Sequence, residues 1–83
     1  MITAEQIWSI LDRRMPRGRW VSLAEIYQFV SQYGVLDRED YQPQAPGSKI
    51  PKWKRNVRNV LQRQKNHGRV DWDGDANYWM AGR

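Results

Sequence analysis

The chain has 83 residues, no cysteine and a formal net charge of +5. This length supports a single domain over residues 1–83 and excludes a multidomain enzyme, and the absence of cysteine excludes disulfides and Cys-ligated metal sites. No stretch approaches the roughly 20 apolar residues of a membrane span, and the N-terminus lacks a signal-peptide pattern, so we expect a cytoplasmic protein.

The first predicted elements are a helix and a short strand. Thr3 followed by Gln6 is a capping-box pattern, and apolar residues then recur at helical spacing as far as Pro16, which ends the helix. The next segment, residues 19–21, is rich in β-prone side chains and lies between helix breakers. We expect it to pair as a short strand.

A second helix and an irregular segment follow. Ser22 and Glu25 repeat the capping-box pattern, an apolar row continues to Tyr33, and Gly34 suits the end of the helix. Residues 37–40 are predicted to form one helical turn. Prolines and glycine between residues 43 and 47 then exclude regular structure.

The last third of the chain predicts a helix and a β-hairpin. The third helix is expected from about Pro51 to residue 66, closed by Gly68, with an apolar row at helical spacing. That row consists of Trp53, Val57, Val60, Leu61 and Gln64. Residues 69–72 and 77–80 alternate as strands do, with an Asp-Gly turn signal between them. Of the five tryptophans, we expect at least three in the core, with Trp20 and Trp72 the least suited to it.

The order of these elements predicts an α+β fold of three helices with a small antiparallel sheet that ends in a hairpin. This is the order of a winged helix, a helix-turn-helix variant in which the third helix reads DNA and the hairpin is the wing. The whole chain is then one winged-helix domain.

The positive charge is concentrated in the second part of the chain. Residues 1–48 carry a net charge of −1, whereas residues 49–83 carry +6. Eight lysines and arginines lie between Lys49 and Arg69, with no acid among them. Such clustering is typical of a surface that binds a polyanion.

The third helix carries the side chains best suited to that task. A helix turns by about 100° per residue, so a polar face lies opposite the predicted apolar row. Arginine, asparagine and glutamine can bind base edges, and lysine and arginine bind phosphates. The predicted DNA-binding residues are Ser48, Lys49, Lys52, Lys54, Arg55, Arg58, Asn59, Gln62, Arg63 and Arg69.

Different roles are expected within this set. Arg55, Arg58, Asn59 and Gln62 would face bases in the major groove, whereas Lys49, Lys52, Lys54 and Arg63 would hold phosphates. Ser48 and Lys49 precede the helix, where backbone N–H groups attract a phosphate. In the hairpin, three aspartates (Asp71, Asp73 and Asp75) repel phosphate, which leaves Arg69 and Asn77 as its plausible contacts. The spacing of these aspartates does not fit an EF-hand calcium loop.

One segment resembles a known family. Residues 51–61, Pro-Lys-Trp-Lys-Arg-Asn-Val-Arg-Asn-Val-Leu, with Gly68, resemble the N-terminal winged-helix domain of Mrr-like, modification-dependent restriction endonucleases. The acidic stretch 36–41 and Pro46-Gly47-Ser48 are similar to segments of the same family. The resemblance covers roughly residues 20–80.

This resemblance implies a DNA-recognition module attached to a nuclease that cuts foreign or modified DNA. Carried over by position, it places Lys52, Arg55, Arg58 and Asn59 on the DNA-facing helix. The chain departs from the family in its acidic wing and in having no nuclease half. We therefore expect a fragment of a longer protein that belongs to a restriction or defence system and is associated with a bacterial-type nucleoid.

Other functions remain as alternatives. A protein-interaction or dimerisation winged helix is compatible with the acidic hairpin and the many aromatic residues. RNA or single-strand binding would require exposed aromatic rings. An enzyme is the weakest alternative, because no spacing pairs catalytic groups, and His67 suits the end of a helix. We expect no catalytic residue, metal or cofactor in the chain, and double-stranded DNA, a homodimer or an attached nuclease domain as partners.

Overall fold

In a computed structural model that describes residues 1–81, the chain forms three helices and a three-stranded antiparallel sheet. The helices are α1 (Ala4–Arg14), α2 (Leu23–Tyr33) and α3 (Lys52–Asn66), and the strands are β1 (Val21–Ser22), β2 (Val70–Trp72) and β3 (Asn77–Met80). The strand order is β1-β3-β2. This α+β arrangement confirms the predicted fold class and is consistent with a winged helix. Within residues 1–81, no helix is long and apolar enough to cross a membrane.

The first two helices begin where the capping patterns predict. Thr3 Oγ1 accepts the N–H of Gln6 at 3.1 Å, and the Gln6 side chain accepts the N–H of Thr3 at 2.9 Å, which completes the capping box of α1. The Ser22 hydroxyl accepts the N–H of Glu25 at 3.2 Å at the start of α2. Each cap bonds an N–H group that has no partner within the helix.

The core combines one apolar row from each helix with the inner face of the sheet. Helices α1 and α2 contribute Ile7, Leu11, Ile26 and Val30, and the sheet contributes Val21, Val70 and Met80. All five residues of the predicted α3 row are buried, namely Trp53, Val57, Val60, Leu61 and Gln64. The Trp53 ring packs edge-on against Tyr27 of α2, with ring centroids 5.6 Å apart. This packing fixes the rotation of α3 about its own axis.

The end of α3 is a tight turn that leads directly into the hairpin. The N–H of Gly68 bonds to the carbonyl of Lys65, and the N–H of Arg69 bonds to the carbonyl of Gln64, each at 3.0 Å. Gly68 has φ +75°, a left-handed conformation that glycine adopts without strain. The predicted end of α3 at Gly68 is thereby confirmed.

One prediction in the first part of the chain is wrong in detail. The short strand covers Val21–Ser22 rather than residues 19–21, because its pairing with Asn77 and Tyr78 of β3 sets its position and α2 starts at Leu23. The single turn predicted at residues 37–40 is present and lies one residue later, at residues 38–41. At the start of α3, Pro51 is the N-cap residue and the helix proper begins at Lys52.

The tryptophan prediction is also wrong in part. Trp53 is buried and Trp8 packs against the core, but Trp79 does not belong to it. Strand alternation directs Tyr78 and Met80 of β3 inward, so Trp79 lies on the outer face of the sheet. Trp20 and Trp72 are exposed.

The acidic turn is organised by a buried carboxylate, that of Asp40. Its oxygens accept the N–H groups of Ile2 at 3.1 Å and of Asp37 at 2.9 Å, and its side chain is fully buried. Its backbone carbonyl accepts the N–H of Trp53 at 3.1 Å. One residue therefore joins the N-terminus, the irregular segment and the start of α3.

We predict that Asp40→Ala lowers the free energy of unfolding by about 2 kcal/mol, because it leaves buried N–H groups without an acceptor. In a domain of this size, that loss lowers the melting temperature by about 10 °C. Thermal and urea unfolding followed by circular dichroism measure it. Glu39→Ala is the control, because among residues 1–81 the one ion pair of the Glu39 side chain is with Lys52, at 3.9 Å. Equal losses for the two variants would contradict the role of Asp40.

Candidate nucleic-acid interface

The outer stripe of α3, defined by Arg55, Arg58, Asn59 and Gln62, is exposed along the helix. All four side chains lie opposite the buried row that faces α1, α2 and β2. The structure therefore brings together, on one accessible surface, the four residues that the sequence analysis assigns to base contacts. A helix of 15 residues with cations and amides on its free face is of the shape and chemistry that fits a DNA major groove.

The arginines of this stripe, like Arg13, Arg14 and Arg38 but unlike Arg17 and Arg19, have no ion pair within residues 1–81. Within residues 1–81, no acid pairs with Arg55 or Arg58. In contrast, Arg17 binds Asp12 at 3.0 Å, and Arg19 binds Glu25 at 2.6 Å and lowers the pKa of that carboxyl. The α3 guanidinium groups are thus free to bind an external anion.

Arg58 also lies close to two partly buried phenols, Tyr27 of α2 and Tyr78 of β3. Burial raises the pKa of both tyrosines, and the positive charge of Arg58 opposes that rise in each of them. The charge of Arg58 thus acts on one phenol of α2 and on one of the hairpin.

The predicted phosphate-binding residues flank the stripe. Lys52 lies 3.9 Å from Glu39, and the Lys54 ammonium lies 5.0 Å above the ring of Tyr27, on the α2 side. On the opposite side, Arg63 borders clefts against the start of α1. Lys49 is exposed in the loop before α3. These positions surround the outer stripe with cations.

The start of α3 is not open to a phosphate in the way the sequence suggests. The N–H of Lys52 bonds to the carbonyl of Gln42 at 2.8 Å, and that of Trp53 bonds to the carbonyl of Asp40. The Ser48 hydroxyl accepts the N–H of Ile50 at 3.1 Å, which shapes the loop. The idea of a phosphate held by these first amides is therefore wrong, and a contact here would rest on the Lys49 side chain.

In the hairpin, one of the three aspartates, Asp73, helps to form the turn. Asp73 accepts the Asn77 amide at 2.7 Å and the N–H of Asp75 at 2.8 Å, and these bonds lower its pKa. The Asn77 amide that the sequence analysis offers to DNA is thus bonded to its own turn. Arg69 is exposed and donates to the Gln64 side chain at 3.3 Å, which places it beside the end of α3. Within residues 1–81, no group of three acidic or histidine side chains could hold a metal ion.

Some neighbouring residues were missed by the sequence analysis. A groove between α2 and α3 is bordered by Gln28, Ser31 and Gln32 together with Lys54. At the other end of α3, the Lys65 ammonium lies 5.4 Å from the ring centroid of Trp72. The polar α2 residues recur at i, i+3 and i+4, a pattern that could have placed them on one face.

Comparison with known proteins adds no identification. No protein-family model, curated protein or solved structure matches this chain. The geometry of α3, the distribution of charge and the absence of ion pairs at Arg55 and Arg58 within residues 1–81 are therefore the observations that point to an interface.

The position of Arg58 can be tested by titration. Because its charge lowers the pKa of Tyr27 and Tyr78 against the effect of burial, we predict that Arg58→Met raises the pKa of both phenols further. NMR titration of the tyrosine ring carbons at alkaline pH measures the change. Arg55→Met, which removes an equal charge one turn away, should leave both values almost unchanged. No difference between the two variants would place Arg58 away from the tyrosines.

Proposed function

We propose that this domain binds double-stranded DNA and inserts α3 into the major groove as its recognition helix. The observation that supports this most directly is the outer stripe of α3, which is exposed and bordered by cations, with arginines that have no acidic partner within residues 1–81. Like charges on one helix repel each other, and the phosphates of DNA would offset that cost.

In this proposal, base readout and phosphate binding fall to different residues. Arg55 and Arg58 would donate to guanine, and Asn59 and Gln62 would bind adenine through paired donor and acceptor groups. The phosphate ligands would be Lys49, Lys52, Lys54 and Arg63, with contributions from Ser48 and Arg69. Phosphate contacts set the position of a protein on the duplex, whereas base contacts give its specificity.

The resemblance to Mrr-like restriction endonucleases extends the proposal. The domain would be a non-catalytic targeting module of a restriction or defence nuclease in the cytoplasm, with the nuclease domain outside this chain. It would need no cofactor, because recognition requires no chemical step.

A second candidate function is RNA or single-strand binding. It is supported by Trp72, whose ring is exposed beside Lys65 at the end of α3, because such binding uses aromatic rings on which bases stack. Competition of labelled duplex DNA against RNA and single-stranded DNA separates the two candidates. Preference for a single strand would overturn the duplex proposal.

The duplex proposal is tested first by a double substitution. We predict that Arg55→Ala with Arg58→Ala weakens duplex binding by more than tenfold, measured by fluorescence anisotropy, because two direct contacts are lost. The matched control is Arg13→Ala with Arg38→Ala, which removes the same charge from exposed arginines outside α3. An equal loss in both variants would show that net charge alone is responsible, and retained binding in the α3 variant would place the site elsewhere.

Salt dependence gives an independent test. If the flanking cations neutralise about six phosphates, we predict that the logarithm of the association constant falls with the logarithm of salt concentration at a slope of about −5. Substitution of Lys52 or Arg63 by alanine should reduce the steepness by about one. Anisotropy titrations measure the slope. They cover about 50 to 200 mM salt, the range over which the affinity of such complexes usually changes strongly. A flat response would contradict phosphate binding.

A further inference from the structure

The outer face of the sheet carries a row of aromatic and acidic side chains, whereas the outer stripe of α3 carries arginines and amides. The register of β2 and β3 places Asp71 beside Trp79. The pairing of Val21 with Tyr78, continued by one residue, places Trp20 beside Trp79 on the other side. Because neighbours along a strand alternate between faces and Val21, Tyr78 and Val70 point inward, this row points away from the helices.

Of the two tryptophans of this row, Trp20 is exposed and Trp79 is partly exposed. Trp20 is 45% exposed, and its ring meets Trp79 edge-on with centroids 5.6 Å apart. An exposed cluster of large aromatic rings is typical of an interaction site, because water is a poor solvent for it.

Two other exposed rings of the domain have a cation beside them, whereas Tyr41 has none within residues 1–81. Arg14 lies 4.1 Å from the ring centroid of Tyr33, and the Lys65 ammonium lies 5.4 Å from that of Trp72. Within residues 1–81, no cation lies over Trp20 or Trp79, and Asp71, next in the row, forms no ion pair. The row thus offers an aromatic pair and a carboxylate without an ion pair within residues 1–81, which together are the complement of lysine or arginine side chains.

We propose that the outer sheet face, defined by Trp20, Trp79 and Asp71, binds a lysine- or arginine-bearing segment of a partner polypeptide. One cationic side chain stacks on the tryptophans and another pairs with the carboxylate. Neighbouring strands are about 4.8 Å apart, so the row spans about 10 Å. An extended peptide with a cation at every second residue presents charges about 7 Å apart on one side, within reach of both ends of the row. This function adds to DNA binding and does not rest on it, because the row faces away from α3.

The test uses a capped hexapeptide of three Arg-Ser repeats and an analogue with citrulline, which keeps the shape of arginine without its charge. ¹H–¹⁵N NMR titration follows the indole N–H signals and gives the affinity. We expect Trp20→Ala and Asp71→Asn each to weaken binding of the arginine peptide by about fivefold, from the usual strength of cation–π and ion-pair contacts. The citrulline peptide should bind at least fivefold more weakly than the arginine peptide, an effect of about the same size.

The chain supplies matched controls for both substitutions. Trp72→Ala removes a tryptophan of similar exposure on the other side of the sheet, and Asp75→Asn neutralises an exposed aspartate of the turn whose side chain makes no bond within residues 1–81. Both should bind the peptide within twofold of the original protein.

Three outcomes would overturn the proposal. The first is an equal loss of peptide affinity in the control variants and in the row variants. The second is equal affinity for the citrulline peptide and the arginine peptide. The third is self-association in sedimentation that Trp20→Ala abolishes, which would show that a second copy occupies the face. Retained duplex binding by Trp20→Ala distinguishes a failure here from a failure of the DNA proposal.

Discussion

Burial of one side of α3 is the constraint on which the candidate interface depends. The Trp53, Val57 and Leu61 side chains insert between the other elements, and the helical period then requires Arg55, Arg58 and Gln62 to face outward. Both ends of the helix are also held, by carbonyl acceptors at its start and by the glycine turn at its end. The helix therefore cannot rotate without exposing apolar surface, so its outward face is a permanent property of the fold.

The sequence predicted elements well where the determining contacts are local. The capping box of α1, the Ser22 cap of α2, the apolar row of α3 and the glycine that ends it all act within one or two helical turns, and each was confirmed. The strand at Val21–Ser22 was displaced because its partner is β3, far along the chain. The burial of the Asp40 carboxylate was not predicted, because it accepts the N–H of Ile2, a residue far away along the chain. Trp79 was placed in the core because its orientation depends on sheet register.

For the candidate site, the helical period was sufficient to predict which residues share a face. The helical period could not predict which of the candidate polar groups are already hydrogen-bonded within the domain. The Ser48 hydroxyl and the Asn77 amide are both bonded within their own loops, and the first amides of α3 are bonded to the preceding segment. The α2 glutamines were missed because they reach α3 only through packing between elements.

The outer stripe of α3 has few bonds to the rest of the domain. Within residues 1–81, Arg55 and Asn59 make no side-chain hydrogen bond, and Gln62 bonds only to Asn66, its neighbour on the same helix. Changes at these positions therefore cost the fold little, since surface substitutions away from caps and networks usually alter stability by about 0.5 kcal/mol or less. If α3 binds DNA as proposed, stability and recognition would reside in separate sets of residues. The domain would for that reason be an evolvable scaffold, in which new specificities could arise on α3 by drift or by engineering while the core remains intact.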